Sequence, residues 1–134
     1  MRQSPSLTDR LLAVLTYITA GMVGVVWLIV CAVRGAFPER FLMFHIMQSV
    51  FLSLCYFIVN FIFWHVVEFL SIIPFINGLT RQLIFLFNSP FLAGYSIMQC
   101  LIYGTVVYLV VFSAVGLYAY IPWISKVIMS NFRD

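Results

Sequence analysis

The sequence predicts an all-α, polytopic membrane protein with four membrane-embedded helices and a short C-terminal amphipathic helix. Hydrophobic residues make up 64% of the 134 residues, charged residues only 8%, and the mean hydropathy is +1.11. In a soluble domain roughly a quarter of all residues are charged, so this chain needs a bilayer to cover its apolar surface. Polar breaks divide it into a polar lead at 1–10, a single transmembrane helical domain at 11–120 and an amphipathic tail at 121–134.

The first predicted span covers 11–33, which is about the length that the hydrocarbon core of a bilayer requires. Thr16, Ala20 and Gly24 recur at every fourth position, and Gly21 lies beside them. Small residues at this spacing let helices approach closely. These four residues are therefore predicted to pack against a neighbouring helix rather than to line a substrate path.

The second predicted span, 41–66, follows a short turn and carries polar side chains on one face of an otherwise apolar helix. Lipid cannot hydrogen-bond such a face, so it must turn towards protein or water. We call it the polar stripe and predict that it faces partner subunits or polypeptide; whether it is wet or dry stays open. The polar stripe comprises Arg40, Phe44, His45, Gln48, Ser49, Ser53, Tyr56 and Asn60.

The third predicted segment, 67–88, is amphipathic, with polar residues on one side of the helical wheel and Phe, Ile and Leu on the other. Such a segment lies in the membrane interface, re-enters the bilayer, or spans it as a kinked helix. The sequence leaves these three alternatives open.

The fourth predicted span, 91–120, exceeds one bilayer thickness and is expected to tilt, kink or protrude. Gln99 and Tyr103 share a face, and Gly104 permits close contact, so these residues are predicted to pack against another helix. In the tail at 121–134, apolar and polar residues alternate with helical spacing, which is typical of a helix lying on a membrane.

The distribution of lysine and arginine indicates the orientation, because cytoplasmic loops are enriched in these residues. If all four segments cross, Arg2, Arg10, Lys126 and Arg133 share one side and Arg34 and Arg40 lie on the other. This bias predicts that both termini are cytoplasmic or, in a plastid, stromal.

Residues for catalysis or cofactor binding are sparse. The chain has four acidic residues and contains no catalytic triad, paired carboxylates or nucleotide-binding motif, so we do not expect an enzyme. His45 and His65 lie about 30 Å apart along one predicted helix and cannot share a metal ion, so we expect no cofactor. Scattered basic residues favour anionic lipid headgroups over nucleic acid.

Residues 40–49 read RFLMFHIMQS. This run resembles the Arg-aromatic-x-x-Phe-Asn/His-x-x-Gln-small signature of the twenty-kilodalton subunit of the translocon at the inner chloroplast envelope (TIC) and its bacterial and cyanobacterial relatives. A second block, CLIYG at 100–104, resembles the start of that family's last span. Gly116 and the PWIS run at 122–125 are similar to its end.

The resemblance implies a four-helix membrane protein that helps to move precursor polypeptides and contributes to their conduit. The apolar segment 67–88 stands where the family has a soluble loop, which favours a bacterial inner-membrane relative over a plastid inner-envelope member. The implied partners are the lipid bilayer, other membrane subunits or further copies of the chain, and precursor polypeptides. Two alternatives remain: a transporter or channel subunit for ions or small molecules, and a non-transport scaffold subunit of a larger membrane complex.

Overall fold

The computed structural model describes residues 5–131, and within them the fold is all-α with no β-strand, which confirms the predicted class. One isolated antiparallel bridge joins Leu92 and Tyr95. The helices are α1 (Leu7–Ile18), α2 (Met22–Val33), α3 (Arg40–Ser71), α4 (Asn77–Asn88), α5 (Ile97–Val115) and α6 (Ile124–Asn131). The predicted lead and tail extend into 1–4 and 132–134, which lie outside the described residues.

Backbone contacts divide the chain into two compact units. Unit 1 contains Met1–Leu54 and Val106–Asp134, and unit 2 contains Cys55–Thr105. Helices α3 and α5 each contribute residues to both units. The first turns of α3, where the polar stripe begins, belong to unit 1.

The single span predicted over 11–33 is wrong, because this segment forms two helices of 12 residues each. Ala20 and Gly21 between them have φ angles of 51° and 93°, in the left-handed region. The Ala20 amide donates to the Tyr17 carbonyl at 3.2 Å, and the Gly21 amide donates to the Thr16 carbonyl at 2.7 Å. This is the Schellman arrangement that closes a helix.

Glycines bring α2 close to its neighbours. A Cβ atom added to Gly24 would lie 2.7 Å from Thr16 Cγ2 in α1 and 2.9 Å from Ile46 Cγ2 in α3. A Cβ atom added to Gly21 would lie 2.9 Å from Val50 Cγ2, also in α3. The small residues of this segment therefore allow α1, α2 and α3 to approach closely.

Helix α3 is longer than predicted, with 32 residues spanning about 48 Å at 1.5 Å per residue. Helix α3 includes the first residues of the segment predicted at 67–88. The prediction of a single element over 67–88 is therefore wrong. A turn at 72–76 interrupts it before α4. Pro74 explains the turn, because proline disfavours helical geometry in the residue before it and cannot donate a backbone hydrogen bond.

Helix α5 is shorter than the run predicted at 91–120, with 19 residues or about 28 Å. A turn at Ala93 and Gly94 precedes it, and Gly116, with a φ of 84°, ends it in a second Schellman arrangement. Residues 117–121 have no regular secondary structure, and α6 follows as the sequence predicts for the tail. The expected excess over one bilayer thickness is therefore absent.

Two helices, α3 and α5, are long and apolar enough to cross a membrane. In the most apolar 18-residue stretch of α3 only 6% of the residues are buried inside the protein, and in that of α5 only 11% are. A core helix of a soluble protein would instead be mostly buried. The exposed apolar surface of these helices is compatible with a membrane environment. Only these two helices of the described residues are long enough to cross a bilayer, so four crossing segments are not confirmed.

Candidate functional site

The first turns of α3 hold three buried polar side chains of unit 1. His45 and Gln48 are 0% exposed, and Ser49 is 2% exposed. Phe44 is buried beside them, whereas Arg40 at the helix start is exposed. The polar stripe thus begins as a closed site, covered by α1 and by the chain that follows α5.

Gln48 is the centre of this site, because its amide reaches two other parts of unit 1. Its Nε2 donates to the Ala119 carbonyl at 3.0 Å and to Ser125 Oγ at 3.2 Å. Its Oε1 accepts a hydrogen bond from the Tyr17 hydroxyl at 2.7 Å. Ser125 Oγ in turn accepts from the Ile121 amide at 2.9 Å. All hydrogen-bonding atoms of the Gln48 amide are therefore engaged.

His45 lies in a box of aromatic rings. Phe41 and Phe44 meet its ring edge-on, with centroid distances of 4.5 Å and 5.4 Å, and Tyr118 stacks on it at 6.2 Å. Its Nδ1 lies 2.8 Å from the Tyr17 hydroxyl. Its Nε2 is buried without a hydrogen-bond partner among the described residues, and the Leu117 backbone lies near the ring.

The hydrogen-bond network fixes the tautomer of His45. The Ala119 carbonyl only accepts, so the NH2 group of Gln48 must face it and the amide oxygen must face Tyr17. Tyr17 has a single hydroxyl proton and gives it to Gln48. The second contact of that hydroxyl must then accept a proton from His45 Nδ1. Neutral His45 therefore carries its proton on Nδ1, with a lone pair on Nε2.

Two serines extend the site along α3 towards the α1–α2 turn. Ser49 Oγ donates to the Thr16 carbonyl at 3.1 Å, and Ser53 Oγ donates to the Ala20 carbonyl at 2.9 Å. Together with the contact from Gln48 to Ala119, three residues of the polar stripe donate to main-chain carbonyls of other segments.

The remaining residues of the polar stripe do not share this environment. Tyr56 is 46% exposed, and Asn60 Nδ2 donates to the Tyr56 carbonyl of its own helix at 3.0 Å. Both residues belong to unit 2. Tyr56 and Asn60 therefore lie outside the buried part of the polar stripe, which ends where the covering segments of unit 1 end.

The residues predicted to pack helices separate into two groups. Thr16, Gly21 and Gly24 are buried where α1, α2 and α3 meet, and Ala20 supplies the carbonyl that Ser53 contacts. The residues from α5 make only local contacts or none. Gln99 accepts from the Ser96 amide, and the exposed Tyr103 meets the ring of Tyr95. A Cβ added to Gly104 would meet no atom of residues 5–131 within 4 Å.

Sequence reasoning missed three residues of the site. Tyr17 lies in an apolar run, Ser125 lies in the tail, and Ala119 contributes a main-chain carbonyl that no side-chain pattern reveals. Tyr17 was the most accessible of these to prediction, because a tyrosine inside a span requires a partner for its hydroxyl.

Metal ligands do not cluster anywhere between residues 5 and 131, where no group of three or more His, Cys, Asp or Glu side chains converges. Cys31, Cys55 and Cys100 are free thiols. The site described above can donate and accept hydrogen bonds, and its lining is otherwise apolar and aromatic.

No protein-family model, curated protein or solved structure matches this chain.

Proposed function

We propose that this chain is an integral membrane subunit of a protein-translocation-type assembly, and that the polar face of α3 in unit 1 binds the main chain of polypeptides or of partner subunits. The class of assembly rests on the resemblance of residues 40–49 to the TIC subunit signature. The comparisons with known proteins add nothing to it.

The observation that carries the proposal is that polar side chains of α3 donate their hydrogen bonds to main-chain carbonyls. Gln48, Ser49 and Ser53 each donate to a backbone carbonyl of another segment. Every residue of a polypeptide presents a carbonyl, so a row of such donors recognises chain conformation without reading side chains. A surface that accepts precursors of many sequences needs this property.

Membrane insertion is supported by the exposed apolar side chains of the long helices. Phe57 and Phe61 on α3 are 69% and 55% exposed, and Leu101 and Val107 on α5 are 63% and 60% exposed. At about 25 cal/mol per Å² of apolar surface, contact with water along two such helices is strongly unfavourable. A bilayer removes this cost.

Topology follows from crossing by α3 and return by α5, with the α1–α2 pair and α4 embedded without crossing. The protein then has four membrane-embedded segments, of which two cross the bilayer. Arg10, Arg34, Arg40 and Lys126 then share one side, and Arg81 lies on the other. Under the positive-inside rule the larger group is cytoplasmic, so both termini are cytoplasmic. We favour the bacterial inner membrane over the plastid inner envelope as the location.

A scaffold function is the second candidate, and the closure of the site favours it. Gln48 is fully buried and its amide is fully engaged, as expected for a residue that fastens helices permanently. In this case the exposed apolar faces, rather than the polar stripe, contact the larger complex.

Photo-crosslinking in native membranes distinguishes these functions. A benzophenone amino acid replaces Ser53, and a matched variant carries it at the exposed Met47 as a lipid-facing control. Translocation predicts a smear of polypeptide adducts at position 53 that disappears when puromycin stops protein synthesis. A scaffold predicts one discrete adduct that puromycin does not change. No adduct at position 53 beyond the control contradicts the proposal.

The ion or solute transporter alternative has its own outcome. A wetted path along α3 predicts that a Ser49→Cys variant reacts with a water-soluble maleimide in intact membranes. Resistance to the reagent, with labelling restored in denaturant, excludes such a path at this position.

A further inference from the structure

Arg81 on α4 is an isolated cation in a long uncharged stretch. Between Glu68 and Lys126 the sequence holds no other charged residue. The Arg81 side chain is exposed, and its Nε donates to Asn77 Oδ1, one helical turn back, at 3.1 Å. Its Nη nitrogens have no hydrogen-bond partner among residues 5–131. The paired N–H donors that bind an oxyanion in two places are therefore available.

An apolar cleft adjoins Arg81 in unit 2. Its volume is about 440 Å³, which lies within the range of about 300–1,000 Å³ typical of small-molecule sites in proteins. One face of α4 supplies positions 81, 84, 85 and 88, and the two residues after the helix complete the lining. The exposed lining surface is almost entirely apolar. The lining residues are Arg81, Ile84, Phe85, Asn88, Ser89 and Pro90.

The apolar side chains of α4 around this cleft are not covered by the chain. Leu79, Phe85 and Leu86 are 62%, 73% and 54% exposed. Helix α3 before it is about 48 Å long, which exceeds the roughly 30 Å of a bilayer's hydrocarbon core. In the membrane-inserted protein the end of α3 therefore reaches the far headgroup region, and α4 follows there after the turn at 72–76. Lipid phosphates lie at this level of a bilayer.

The chemistry around Arg81 selects the ligand. No acidic residue lies between positions 69 and 131, so this part of the chain supplies no anion for the guanidinium group. A phosphodiester offers two oxygens to the Nη donors, and its acyl chains match the apolar cleft. A zwitterionic headgroup would also bring a cation, for which the cleft has no carboxylate. An anionic phospholipid satisfies the charge and the apolar surface together.

We propose that α4 binds one anionic phospholipid, with the phosphate on the Nη donors of Arg81 and an acyl chain in the cleft beside Ile84 and Phe85. This inference goes beyond the proposed function and uses only the membrane insertion stated there. Asn77 is a positioning residue, because its contact with Nε holds the guanidinium group beside the cleft. The bound lipid attaches α4 to the far leaflet.

Native mass spectrometry of the full chain in mild detergent tests the charge. The probes are phosphatidylglycerol and phosphatidylcholine of equal chain length. The wild type should retain one phosphatidylglycerol several-fold better than phosphatidylcholine, and Arg81→Gln should lose this preference. Arg34→Gln removes one charge from an exposed position of unit 1 and is the matched control, which should behave as the wild type. Unchanged retention in Arg81→Gln, or equal loss in both variants, overturns the proposal.

The cleft is tested by filling it while Arg81 stays in place. Ile84→Trp should lower the retention of phosphatidylglycerol several-fold, whereas Leu79→Trp, at an exposed position outside the lining, should not. Asn77→Ala, which frees the guanidinium group without removing its charge, should give an intermediate loss. Circular dichroism checks that the variants keep the helix content of the wild type. Full retention by a folded Ile84→Trp variant overturns the placement of the acyl chain.

Two other sources of the anion give distinct results. Displacement of the lipid by excess inorganic phosphate would assign Arg81 to a free anion and overturn the proposal. Release of a copurifying protein by Arg81→Gln, with lipid retention unchanged, would assign it to a partner's carboxylate and overturn the proposal as well. Crosslinking at position 53 tests the proposed function independently. Lipid retention without polypeptide adducts there leaves the lipid site standing, and the converse result overturns the lipid site alone.

Discussion

Gln48 lies 71 residues before Ala119 in the sequence, and its Nε2 donates to the Ala119 carbonyl at 3.0 Å. This contact fastens the start of α3 to the chain that follows α5. The same amide group receives the Tyr17 hydroxyl from α1, so three distant segments of unit 1 meet at one side chain. Removal of that side chain should therefore affect the packing of all three.

We predict that Gln48→Leu destabilises the protein by about 1–3 kcal/mol, because it leaves the Ala119 carbonyl and the Tyr17 hydroxyl buried without their partner. Membrane insertion should be unchanged, since leucine is more favourable than glutamine in a bilayer. Unfolding in increasing SDS, followed by circular dichroism, measures the free energy. The exposed Gln82→Leu is the matched control and should change stability little. Equal stability of both variants would contradict a structural role for Gln48.

The glycines of α2 and α5 provide a second, sterically matched pair. In Gly24→Ala the new Cβ lies 2.7 Å from Thr16 Cγ2, so α1 and α2 must separate, and we expect a loss of about 1–3 kcal/mol. In Gly104→Ala the new Cβ meets none of the described atoms within 4 Å, and higher helix propensity should make it neutral or stabilising by up to about 1 kcal/mol. Thermal unfolding in detergent measures both. A result in the reverse order would show that α2 does not pack as described.

Gly116→Ala is predicted to destabilise more than Gly35→Ala. Both glycines have positive φ, at 84° and 65°, so each substitution should cost about 1–2 kcal/mol of backbone strain. At Gly116 the new Cβ would also lie 2.8 Å from Arg10 Nε, while at Gly35 it would meet no atom within 4 Å in the part of the chain that the structure describes. The difference between the two shifts in Tm isolates the packing of Arg10 on the end of α5. Equal shifts would mean that Arg10 moves aside without cost.

The sequence predicted the helical class and the polar character of α3, because hydrophobic composition and helical spacing are local properties. It placed His45, Gln48 and Ser49 on one face of a helix, and the structure buries all three. The same spacing included Tyr56 and Asn60, which do not join them, because the wheel cannot tell where a covering segment begins or ends.

Element boundaries were harder to predict within uninterrupted apolar sequence. The break at Ala20 and Gly21 leaves no polar mark, and its cause is left-handed backbone geometry that an alanine adopts only in a particular tertiary setting. The partner of Gln48 was beyond prediction for a different reason, since the Ala119 carbonyl is a main-chain atom 71 positions away. Long-range contacts to backbone atoms have no signature in residue type.

The tautomer of His45 gives the sharpest test of the buried network. We predict that the neutral imidazole carries its proton on Nδ1, because Tyr17 donates its only proton to Gln48 and must accept from His45. In Tyr17→Phe that acceptor is lost, so the preference for the proton on Nδ1 should weaken. Long-range ¹H–¹⁵N correlation spectra of the imidazole ring distinguish the two forms, with the exposed His65 as an internal reference. A proton on Nε2 in the wild type would mean that Tyr17 donates to His45 rather than to Gln48, which would contradict the network described here.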